Sequence, residues 1–99
     1  MLYAIISQDV ENSSALRATA RDAHRQRLHD LTNAGRLVLA GPFPAIDSPE
    51  PGPAGFSGSL IIAEFDSLES ARAWADEDPF VAAGVYINVE VRPFKQVLP

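Results

Sequence analysis

From about Ser14 to Ala34 the chain has neither Gly nor Pro, and Leu16, Ala20, Ala23, Leu28, Leu31 and Ala34 fall on one side of a helical wheel at about 100° per residue. That stretch demands a long helix with one apolar stripe, closed by Gly35. A stripe of this kind has to be laid against something. The segments beside it are strand-like. Leu2 to Gln8 is short, aromatic and β-branched until Asp9, Asn12, Ser13 and Ser14 break it, and Arg36 to Ala40 alternates weakly until Gly41-Pro42 stops it.

Similar punctuation divides the rest of the chain. Five of the eight prolines lie from Pro42 to Pro53, so a long irregular connection is expected there, serving as a lid, a partner contact or slack. Gly58 to Phe65 forms a third strand. Ser67 is placed to cap a second helix, with Glu69 in its first turn and Leu68, Ala71, Trp74 and Ala75 on its inner face. Asp78-Pro79 starts a further turn, because the carboxylate accepts from exposed N–H groups and Pro needs no donor at the first position; Gly84 ends it. Val85, Ile87, Val89 and Val91 then alternate with Tyr86, Asn88, Glu90 and Arg92 in a last strand to about Phe94, with one buried and one wetter face.

The resulting order, β-α-β-β-α-β, is the ferredoxin-like α+β plan: a four-stranded antiparallel sheet with both helices on one face, in a single domain over residues 1–99. A chain of 99 residues hides only about two-thirds of its unfolded surface and builds a single core layer. The plan puts strands one and three in the middle, and Leu60-Ile61-Ile62-Ala63 is apolar on both faces although the helices of one subunit cover only one. A second sheet from an identical subunit is the economical cover for the other face, so a homodimer is expected.

Composition narrows the function classes. A hydrophobic fraction of 46% excludes general disorder, and no apolar run approaches the roughly 20 residues of a bilayer span. The opening MLYAIISQDV has no basic leader or small-residue cleavage site, and there is no Cys, so a cytoplasmic protein without disulfides is expected. A net charge of −5 opposes phosphate backbones, which argues against nucleic acid as a partner.

His24 sits among Ala and Leu, about 40° from the centre of the apolar stripe, whereas His29 points to nearly the opposite side. A neutral imidazole there can serve as base and then acid; the plainer alternative is a hydrogen-bonded structural histidine. Asp78 can fix the tautomer of such a ring by accepting from one N–H, or can simply cap its turn. Arg21 lies near the edge of the same face, available either to an anionic substrate group or to a surface ion pair. Ser57 and Ser59 flank Gly58 and offer hydroxyls to a bound oxygen, or mark a turn. Trp74 and Phe80 read as core. With no Cys and two histidines facing apart, a zinc site lacks ligands, and Gly52 to Gly58 lacks the Lys and helix of a phosphate loop. No metal or cofactor is implied.

Taken together, Ser7-Gln8-Asp9, Arg21-Asp22-Ala23-His24, Gly35-Arg36-Leu37, Ala40-Gly41-Pro42, Ala54-Gly55-Phe56-Ser57-Gly58-Ser59 and Asp78-Pro79-Phe80-Val81-Ala82-Ala83-Gly84-Val85-Tyr86 resemble the YciI-like family in order and spacing, nearly end to end. The resemblance implies a ferredoxin-like domain dimerising in the manner of the dimeric α+β barrel superfamily, with a catalytic centre of one histidine and one aspartate that map onto His24 and Asp78. It also implies kinship with enzymes that act on lactones and hydroxylated aromatic compounds. The expectation is a cofactor-independent enzyme performing proton transfer, elimination or hydrolysis on a small, anionic or aromatic molecule. The competing expectation is a non-catalytic metabolite-binding or protein-interaction module using the same cleft.

Overall fold

The computed structural model describes residues 1–99 and orders the elements β1 (Leu2–Asp9), α1 (Ser14–Asn33), β2 (Leu37–Pro44), a 3-10 turn (Gly52–Ala54), β3 (Phe56–Glu64), α2 (Leu68–Asp76), α3 (Pro79–Ala82) and β4 (Tyr86–Phe94). The strands form one antiparallel sheet in the order β2-β3-β1-β4. The strands with apolar residues on both faces are therefore central. Tyr3 and Ile5 of β1 and Ile61 and Ala63 of β3 share the face covered by Leu31 of α1 and by Ala71 and Ala75 of α2. Each large side chain sealed there is worth about 1.5–3 kcal/mol over leaving it wet. The architecture is the ferredoxin-like α+β fold.

Local chemistry accounts for the boundaries. Ser67 and Ser70 form a reciprocal capping box, each side chain bonding the other's backbone N–H at 3.0 Å, which starts α2 where expected. Gly35 and Gly84 take positive φ at 71° and 78° just beyond α1 and α3, the left-handed conformation that lets a helix stop without a Cβ penalty.

Four expectations need correction. β2 does not stop at Gly41-Pro42 but continues to Pro44, because it is an edge strand and an edge tolerates residues that cannot donate to a ladder. On α1 the buried residues are Arg17, His24 and Leu31, while Leu16 is 38% exposed and Ala23 and Ala34 are also exposed, so the inner face is rotated from the Ala and Leu stripe. Leu68, in the first turn of α2, faces solvent. The alternation of β4 also slips: Gln8 pairs with Asn88 but Asp9 pairs with Tyr86, so Ile87 bulges out, 65% exposed, and Tyr86 turns onto the helix-covered face.

Candidate active site

The site begins with the shortest helix. Asp78 caps α3 in an extended conformation, its Oδ1 accepting from the Phe80 N–H at 2.9 Å, with Pro79 in the first turn where its missing N–H costs nothing. Both oxygens of that carboxylate face the imidazole of His24 on α1, with Nδ1 at 2.8 Å from Oδ1 and 3.0 Å from Oδ2. An ionised carboxylate only accepts, so Nδ1 carries the proton and the neutral ring keeps Nε2 bare. The Phe80 ring stacks on the imidazole at a centroid distance of 4.0 Å and an angle of 13°. Carboxylate and ring together fix the plane and tautomer of His24, which is otherwise 9% exposed.

His24 opens onto a cleft of about 280 Å³ between α1 and the helix-side face of β2 and β3. Arg17, Arg21 and Arg25 line it from the helix, Ala40, Pro42 and Ile61 from the sheet, and Ser59 and Phe80 from the interior end. Asp78 does not reach the cleft wall; it stands behind the imidazole, 4% exposed. Of the residues singled out from sequence, His24, Arg21 and Ser59 meet here and Asp78 is one layer back. Ser57 is not with them: it lines a separate hollow beside Asp9 and Asn12, its hydroxyl 3.4 Å from the Phe43 carbonyl. The proline-rich connection meets the His24 cleft only at its two ends, through Pro42 and Phe56; no residue from Phe43 to Gly55 lines it. His29 is exposed on the far side of α1.

Several site residues have no sequence-level expectation attached to them. Arg17, 6% exposed, donates from Nε to Asp9 Oδ2 at 2.6 Å, from a terminal nitrogen to Asp9 Oδ1 at 2.9 Å and to the Gly58 carbonyl at 3.1 Å. Ser13 donates to the same Asp9 at 2.6 Å, which diverts its hydroxyl from capping α1. The Arg17 guanidinium also lies 5.1 Å from the centroid of Phe80, backing the ring that stacks on His24. The available signal was position: Arg17 precedes His24 by two helical turns and so shares its face. Tyr86 joins through its hydroxyl, 2.9 Å from Ser59 Oγ. Burial pushes this phenol up from its usual 10.0 to about 12, against the opposing pull of the Ser59 hydrogen bond, so it stays protonated through the neutral range.

A small ferredoxin-like domain with a helix-borne imidazole braced by the capping carboxylate of the short helix α3 defines the class. The chain belongs to the YCII-related domain family, whose pattern it matches over residues 1–95. It is 59% identical over 97 residues to Protein YciI of Escherichia coli O6:H1, covering 98% of this chain and 99% of that one. An uncharacterized protein of Haemophilus influenzae is 48% identical over the same length, with the same coverage. Among solved structures, the chain resembles the 5-chloro-2-hydroxyhydroquinone dehydrochlorinase TftG of Burkholderia phenoliruptrix, in complex with 2,5-dihydroxybenzoquinone, with a TM-score of 0.83 and 25% identity over 96% of this chain and 94% of that one.

Proposed function

We propose that the protein is a cofactor-independent enzyme of the cytoplasm that uses His24 as general acid and base, oriented by Asp78, on a small organic substrate. The observation that carries this reading is the imidazole held through Nδ1 by a buried carboxylate while the ring lines a cleft. Nε2 removes a proton from a bound enol, phenol or carbon acid; Asp78 stabilises the imidazolium, and the proton is returned to another atom or leaves with an expelled anion. Ser59 lines the interior end of the cleft and is backed by the Tyr86 hydroxyl hydrogen-bonded to its Oγ, so Ser59 is able to hold an oxygen on which negative charge develops. The likeness to TftG, whose name is that of a dehydrochlorinase acting on a chlorinated hydroxyhydroquinone, supports elimination from a hydroxylated ring.

The working unit in this reading is a homodimer joined through the outer faces of two sheets. Ile6, Leu39, Phe43 and Leu60 lie on the face that neither helix covers, and Leu39 and Phe43 are 46% and 40% exposed in one chain. The functional test is a panel of small lactones, enols and halogenated phenols offered to the wild type and to His24→Ala. Conversion of a compound by the wild type and none by the variant is expected. Undiminished conversion by His24→Ala would remove the catalytic reading and leave a ligand-binding module as the better account.

A further inference from the structure

We propose that the cleft takes an organic anion, a small carboxylic acid with an apolar body, whose carboxylate is held at the mouth by Arg21 and Arg25. Both side chains line the cleft, and neither makes an ion pair or a side-chain hydrogen bond within the chain. Every other arginine is engaged. Arg17 is bound to Asp9, Arg27 donates to the Trp74 carbonyl at 2.7 Å, Arg36 to the Glu64 carbonyl at 3.0 Å, Arg72 to the Val89 carbonyl at 3.1 Å, and Arg92 pairs with Glu90. The two free guanidiniums are therefore together, one helical turn apart, and beside His24.

Like charges at this spacing repel, and the arrangement costs the empty helix stability that a bound anion would restore. No carboxylate lines the cleft, although the chain carries a net charge of −5. The local field at this site thus runs against the charge of the molecule as a whole, and an anion is drawn to this point of the surface. Guanidinium forks match a carboxylate in bidentate fashion. The remaining wall favours an apolar body over an inorganic ion: Leu28, Ala40, Pro42 and Ile61 offer no polar side-chain atom. On the helix, Arg21 and Arg25 lie about 60° and 100° round from His24, toward solvent. A carboxylate held there leaves the rest of the ligand to run inward past the imidazole toward Ser59. This orientation rests on the acid–base reading for what His24 does to the ligand; the anion site itself does not.

Benzoate is the probe, with benzamide as its neutral counterpart and inorganic phosphate as the anion without an apolar body. Titration calorimetry at low salt, on the wild type, Arg21→Gln, Arg25→Gln and the double variant, gives the affinities, with thermal melts to verify folding. Saturable benzoate binding is expected, weakened roughly tenfold or more in the double variant and unchanged in Arg92→Gln, with benzamide weak in all. Benzoate binding that is undetectable in the wild type, or equal in the double variant, would overturn the proposal, as would phosphate binding as tightly as benzoate. Failure of the acid–base reading registers elsewhere, as turnover that survives His24→Ala while benzoate binding stays intact.

Discussion

Asp78 has two tasks at once, capping α3 through the Phe80 N–H and holding Nδ1 of His24. Asn caps a helix about as well as Asp but brings no charge to support an imidazolium. Asp78→Asn is therefore expected to melt within a few degrees of the wild type while turnover of any substrate found falls by on the order of 10²-fold or more. A parallel loss of stability and activity would reduce Asp78 to a cap. Tyr86 gives a pH signature. Its folded pKa, about 12, lies above the ordinary 10.0, so its contribution to stability is complete below pH 10 and is lost as the pH rises through 12. Urea melts at a series of alkaline pH values should show Tyr86→Phe losing less stability across that window than the wild type. At this scale His24 was legible because its helical phase turns it inward, and Asp78 because Asp-Pro marks a helix start. Arg17 was not: a wheel scored on Ala and Leu cannot register a guanidinium that is buried because Asp9 neutralises it.

Elements place these side chains, and their order followed from Gly and Pro punctuation together with the two hydrophobic periods. Pairing properties did not follow. The bulge that turns Tyr86 toward Ser59 belongs to the register between β4 and β1, and no single strand's alternation contains it. The continuation of β2 through Pro42 and Pro44 likewise depends on its being an edge, a fact of the sheet and not of the segment. Between elements, the Asp9–Arg17 pair ties β1 to α1 beneath the Phe80 ring. Asp9→Ala leaves a buried guanidinium without its partner and is expected to cost about 3–5 kcal/mol in chemical denaturation. A loss below about 1 kcal/mol would mean that solvent reaches Arg17.

At the scale of the whole molecule, the sequence carried the fold and the apolar residues on both faces of its central strands, but it did not assign faces residue by residue. Ile61 belongs to the helix-side core and the cleft, whereas Leu39 and Leu60 lie on the outer face and Leu39 is 46% exposed in one chain, so Leu39→Lys is the variant that probes association. Sedimentation of the wild type should report about twice the chain mass of 10.7 kDa at micromolar concentration, with Leu39→Lys folded and dissociated. A folded wild-type monomer would contradict the dimer. The central claim is narrower and needs no substrate: the Asp78 carboxylate, 2.8 and 3.0 Å from Nδ1, is expected to hold the His24 proton there and leave Nε2 bare. A long-range ¹H–¹⁵N spectrum of the imidazole measures this directly. The expected result is a proton on Nδ1 at neutral pH, lost from that nitrogen's fixed position in Asp78→Ala; a bare Nδ1 with the proton on Nε2 in the wild type would contradict the account.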